Sequence, residues 1–252
     1  MLSENYLHKD LPILCDKGYF NKVEYDIDIE GVIDFFNDYD EKLKKINLEN
    51  WYYKDSKIEY KYNEFGYRSD NLNLIEYKDY ILTFGCSYSF GMGLHYEDTY
   101  SYTVAKSLDV KNINLSIPGS GIDYHKINTI LFTNFFSKKR LPKLVIYQYP
   151  NDYRVRFSEV DKNSVRIFTD SGVDKDCVFD NYQYLSDYWI NGKGEKYIQD
   201  LITPLILNNI WKFLGVPVIH LTFNDYNQEY KSNYQDFEIY NINDDKVKET
   251  IC

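Results

Sequence analysis

The chain has 252 residues, a formal net charge of −10, 44 % hydrophobic and 27 % charged residues, a balance that fits one sizeable globular core and excludes wholesale disorder or a fibrous fold. With that acidity and no basic run longer than "SKKR" at 137–140, nucleic-acid binding through phosphate neutralisation is disfavoured. Its 27 tyrosines accompany a single alanine, Ala105, so a Tyr-rich stretch is weak evidence here for a sugar or base platform.

Residues 1–78 are acidic and rich in Tyr, Asp and Asn, and are expected to form an N-terminal extension packed on a main domain spanning 79–252. Within the extension, "IEGVIDFFNDYDEKLKKI" at 29–46 has the spacing of an amphipathic helix, with Val32, Phe35, Phe36 and Leu43 able to share one face. "YKYNEFGYRSDN" at 60–71 carries the Asn and Gly of a turn between two short extended pieces.

From residue 79 onward, strand-like and helix-like pieces alternate as in βαβ units. "YILTF" at 80–84 is a short apolar run of the kind buried in a parallel sheet. "EDTYSYTVAKSL" at 97–108 reads as a helix capped by Asp98 or Thr99, and "KNINLS" at 111–116 as the next strand. A helix is expected near 122–136, with Ile127, Ile130 and Leu131 on one stripe, and "KLVIYQY" at 143–149 as a third strand. After a less regular stretch, 197–215 reads as a helix interrupted at Pro204 and ended by Gly215, followed by the strand "VPVIHLTF" at 216–223.

Three of these strand ends carry polar turns: Gly85-Cys86-Ser87, Pro118-Gly119-Ser120-Gly121 and Pro150-Asn151-Asp152. The carboxyl edge of a parallel sheet is where open α/β folds build their sites. Gly85, Gly91 and Gly93 do not fit G-x-G-x-x-G, no Gly-Lys-Ser/Thr follows them, and Ser89 stands where the G-x-S-x-G elbow needs its second glycine. Taken singly, Ser87 also reads as a turn or capping serine, Asn151 as an Asn-Asp turn and Gly119 as a loop glycine.

In order and spacing the three turns resemble the SGNH/GDSL hydrolase family. Gly85-Cys86-Ser87 corresponds to the family's Gly-x-Ser block, "NLSIPGSG" from Asn114 to its Asn-x-x-x-x-Gly turn with Gly119 at the glycine, and "YPND" at 149–152 to its Gly-x-Asn-Asp. The resemblance covers about residues 79–225. It extends to SGNH-like proteins, many from bacteriophages, that have an N-x-x-G-Y/F-R-S segment before the first strand, as "NEFGYRS" is at 63–69.

The resemblance implies a three-layer, flavodoxin-like α/β sandwich with a central parallel sheet. It implies a serine esterase or acylhydrolase in which Ser87 attacks an acyl ester of a lipid, a small molecule or an O-acetylated glycan. The backbone N–H groups of Ser87 and Gly119 and the amide of Asn151 would hold the oxyanion, and no metal or organic cofactor is implied.

This sequence departs from the family at Cys86, which replaces Asp, and at Tyr149, which replaces Gly. The family's C-terminal Asp-x-x-His has no counterpart, since no His follows His220 and Asp225 is followed by Gln228 at the His position. That absence raises a second expectation: a catalytically impaired SGNH-fold protein with a ligand-binding or structural role. Among the other histidines, His125 reads as a surface or half-buried helical residue, and His95 as a residue of the site's rim.

The four cysteines, Cys15, Cys86, Cys177 and Cys252, form no C-x-x-C pair, so neither a zinc site nor a disulfide framework is indicated. A Cys one residue before the motif serine should point away from it. No apolar stretch approaches the roughly 18 residues of a membrane span, and "MLSENYLHKDLPIL" lacks the layout of a secretory signal, so a cytoplasmic protein is expected.

Overall fold

The computed structural model describes residues 7–8, 11–14, 52, 58, 60–63, 66–118, 120–136, 140–150, 154–159, 164–169, 193–222 and 239–241. The helix expected at 29–46 lies outside the described residues, as do Gly119, Asn151, Asp225 and Gln228.

Two short strands, β1 (Leu7–His8) and β2 (Leu11–Leu14), pair antiparallel. The main sheet begins with β3 (Tyr80–Phe84), followed by the one-turn helix α1 (Ser87–Phe90), α2 (Tyr100–Ser107) and β4 (Lys111–Asn114). Next come α3 (Ile122–Phe136) and β5 (Leu144–Gln148), then an antiparallel pair, β6 (Arg154–Glu159) and β7 (Ser164–Thr169). The chain continues through α4 (Lys193–Phe213), β8 (Val218–Thr222) and β9 (Ile239–Asn241).

β4, β3, β5, β8 and β9 form one sheet in that spatial order, and every pairing in it is parallel. Leu82 stands opposite Ile113 on one side and Val145 on the other, and Tyr147 opposite His220. The order turns back at β3, which lies between the strand that follows it and the next but one. That reversal makes the carboxyl end of β3 the switch point of the sheet, the place where open α/β folds build their sites.

All five residues of β3 are buried, as a mostly apolar run requires of a strand covered on both faces. Tyr80, Leu82 and Phe84 point to a face packed by Phe132 of α3 and by Leu207 and Trp211 of α4. Ile81 points to the other, beside Ala105 of α2, Ile146 and Leu221. Helices thus cover both faces of an α/β fold.

Thr99 caps α2 by accepting from the Tyr102 N–H at 3.3 Å, as one of the two expected caps. α4 is continuous through Pro204, correcting the expected interruption; a helix held by packing on the sheet survives the one hydrogen bond that proline removes. The stripe of α3 is also different from the expected one. Ile130 is 51 % exposed, and Tyr124, His125, Asn128, Thr129 and Phe132 are the buried residues. The segment before the sheet covers the edge of β4: Asp70 N–H donates to the Asn112 carbonyl and Asp70 Oδ2 accepts from the Asn112 N–H. Among the described residues no helix is long and apolar enough to cross a membrane.

Candidate functional site at the sheet's carboxyl edge

β3 ends in Phe84, and the chain turns through Gly85 and Cys86 into α1, whose first residue is Ser87. The turn is tight: a Cβ on Gly85 would stand 2.1 Å from Ser89 Oγ and 3.1 Å from Gln148 Oε1, so only glycine fits. Ser87 is half-buried, and its carbonyl accepts from the Gly91 and Met92 N–H groups at 3.1 and 3.0 Å. Neither its hydroxyl nor its N–H bonds to any described residue. A nucleophile-type hydroxyl and a backbone donor thus stand together at the carboxyl end of β3.

Three tethers fix this turn. The first is Gln148, the last residue of β5, whose Oε1 accepts from the Cys86 N–H at 3.2 Å, the Cys86 thiol at 3.1 Å and the Ser89 hydroxyl at 3.0 Å. The second is the loop before α3: the Ser120 hydroxyl donates to the Gly85 carbonyl at 2.7 Å and the Ile117 N–H to the same oxygen at 3.1 Å. The third is Asn114 at the end of β4, whose Nδ2 donates to the Ser89 carbonyl at 2.7 Å. The turns after β3, β4 and β5 are thereby bonded into one edge.

Arg68 braces α1 from the other end. Arg68 is 1 % exposed, and its guanidinium donates to the carbonyls of Gly91 at 2.6 Å, Phe90 at 3.2 Å and Leu94 at 2.8 Å. It also lies 4.5 Å from the Tyr60 ring centroid, and burial lowers its pKa. Gly91, at φ +79, closes α1 against Thr99 in the space this Arg leaves. The "NEFGYRS" stretch therefore supports the serine turn, and Tyr67 extends the support to α3 by hydrogen-bonding Tyr124 at 2.5 Å and accepting from Asn128 at 3.3 Å.

Two imidazoles lie beneath this edge. His220 in β8 stacks on Tyr147 with ring centroids 5.6 Å apart, and its Nδ1 hydrogen-bonds the Tyr149 hydroxyl at 2.8 Å. His125, in the first turn of α3, lies 6.1 Å from the Tyr149 ring and 6.3 Å from the Tyr147 ring. It is wholly buried rather than at the surface or half-buried as expected, because α3 turns this stripe onto the sheet.

Desolvation pulls both histidines down to about 3, so both are neutral at pH 7. The Gly85 carbonyl opposes the shift at His125 but lies outside hydrogen-bond geometry with either ring nitrogen, and already serves Ile117 and Ser120. Neither imidazole hydrogen-bonds the Ser87 hydroxyl.

Of the three expected site residues, Ser87 stands at the carboxyl end of β3, while Gly119 and Asn151 lie outside the described residues. Their chain neighbours Ser120 and Pro150 are buried, Ser120 bonded to the Ser87 turn and Pro150 next to Tyr149, whose carbonyl accepts from Gln148 Nε2. Cys86 is buried, with its thiol on Gln148. His95 is half-buried in the loop after α1. Gln148 and the burial of His125 escape the sequence reading; the available signal for Gln148 is a polar residue ending an otherwise apolar strand.

Comparison of the chain with protein-family models, with curated proteins and with solved structures finds no match.

Proposed function

We propose that this chain is a serine acylhydrolase of SGNH type, a flavodoxin-like three-layer domain that cleaves an acyl ester of a lipid, a small molecule or an O-acetylated glycan. The observation that carries the reading is Ser87: half-buried, at the carboxyl end of the strand where the sheet order turns back, with hydroxyl and N–H both free of described partners. The spatial order β4-β3-β5-β8-β9 is that of flavodoxin-like sheets, whose ligands bind at this switch point.

In this reading Ser87 Oγ bonds to the ester carbonyl carbon and the alcohol leaves with a proton. Water then cleaves the acyl-serine, releasing the acid and restoring the hydroxyl. The Ser87 N–H, the Gly119 N–H and the Asn151 amide would face the oxyanion, each such donor contributing about 3 kcal/mol to lowering the barrier.

The buried histidines favour a second reading, a ligand-binding crevice without turnover. His220 is engaged by Tyr149, neither His125 nor His220 hydrogen-bonds Ser87, and a serine lacking its base loses several orders of magnitude in rate. Hydrolysis of short-chain p-nitrophenyl esters separates the two. The hydrolase reading expects Ser87-dependent release of p-nitrophenol that vanishes in Ser87→Ala; equal rates in both proteins would leave the binding reading.

A further inference from the structure

We infer that Gln148 is the positioning residue of the Ser87 turn, setting the direction of the serine hydroxyl and N–H by bonding the residues around Ser87 to the end of β5 with one side chain. This deepens the hydrolase reading and rests on it. An amide offers an acceptor and a donor, and Gln148 uses the first on the turn after β3 and the second on the end of β5. Its Oε1 gathers the Cys86 N–H, the Cys86 thiol and the Ser89 hydroxyl, flanking Ser87 on both sides in sequence. Its Nε2 donates to the Tyr149 carbonyl, just past the end of β5.

The side chain is wholly buried, so water does not replace any of these bonds. A relay reinforces the acceptor side. Because the Ser89 hydroxyl donates to Gln148, the Tyr100 hydroxyl supplies the proton in its 2.7 Å contact with Ser89 Oγ. Asn114 fixes the Ser89 carbonyl from β4 as well. The Ser87 N–H is left over from this network, which holds its neighbours and leaves it for a substrate oxygen.

Gly85 and Cys86 fit the same account. A side chain on Gly85 would occupy the space between Ser89 and Gln148, and the Cys86 thiol is a donor where a carboxylate would face Oε1 as a second acceptor. Gln148 itself touches no reacting atom. Its effect passes through the geometry of the turn, where a misplacement of about 1 Å costs on the order of 100-fold in rate.

The test is the rate of Ser87 phosphonylation by a fluorophosphonate, in which the Oγ–P bond forms, the P–F bond breaks, fluoride leaves and the hydroxyl proton passes to water. Gln148→Met keeps the length and removes both polar ends. It is expected to react about 10- to 100-fold more slowly than wild type, with an unchanged KM and a lowered kcat for a p-nitrophenyl ester.

Gln148→Glu supplies the readout that simple packing would not move. Protonated, its carboxyl has one donor and one acceptor like the amide; ionised, it has no donor for Tyr149. The ratio of its rate to that of wild type should therefore rise as the pH is lowered.

Wild-type rates in Gln148→Met, or a pH-independent ratio in Gln148→Glu, would overturn the assignment. Failure of both variants to fold would overturn it too, since the amide would then maintain the fold as a whole. A wild-type chain that no fluorophosphonate labels refutes the hydrolase reading instead.

Discussion

Acidification from pH 7 to 5 is expected to destabilise the protein through its buried histidines, and His125 gives the cleanest case. Its ring is wholly buried, neither nitrogen has a hydrogen-bond partner, and loss of hydration pulls its pKa from 6.5 to about 3. The native ring stays neutral across this window while the unfolded chain takes up a proton. A depressed native value means stability that is fully present above the unfolded pKa and is lost as the pH falls toward the folded one.

At pH 5 the unfolded ring lies about 1.5 pH units below its own pKa, which at about 1.4 kcal/mol per unit is about 2 kcal/mol of lost stability. His220, pulled to about 3 by burial, brings the sum to about 4 kcal/mol. Urea unfolding of wild type and His125→Gln at pH 7, 6 and 5 measures the His125 share directly. Below pH 6 the variant's stability should fall with a slope shallower by one proton, about 1.4 kcal/mol per pH unit. Equal slopes would refute the argument, because His125 would then titrate alike in both states.

The tethers of the serine turn make two further expectations. Gly85→Ala would place its Cβ 2.5 Å from Ser89 Cβ, so α1 must shift; a cost of about 1–3 kcal/mol should lower Tm by several degrees, and adding Ser89→Gly should recover part of it. A Tm unchanged in Gly85→Ala would mean that the turn is loose. Arg68→Lys keeps the charge but cannot reach three carbonyls with a fork, and a loss of about 3 kcal/mol is expected in chemical denaturation, against none if Arg68 only fills space.

The architecture was legible where hydrophobic pattern and burial agree. The apolar run at 80–84 and the periodicity at 122–136 appear as β3 and α3 over the same residues. The pattern misled where long-range partners decide burial. On α3 the polar Asn128 and Thr129 go inward because Tyr67 and Tyr147 meet them there, while apolar Ile130 faces solvent.

The paired strands β6 and β7 were hidden for a related reason: "RVRFSE" and "SVRIFT" are short runs mixed with charge, and they become strands by pairing with each other. At the site, the glycine and serine of the first turn were legible from local chemistry. The side chain that holds them was not, because Gln148 follows Cys86 by 62 residues and only the sheet brings the two together.

The central proposal, that Ser87 is a nucleophile, is tested most directly by intact-mass spectrometry after exposure to a fluorophosphonate probe, comparing wild type with Ser87→Ala. The account predicts a single adduct on wild type and none on the variant. Folded wild-type protein that stays unlabelled, or an adduct that persists in Ser87→Ala, would contradict it.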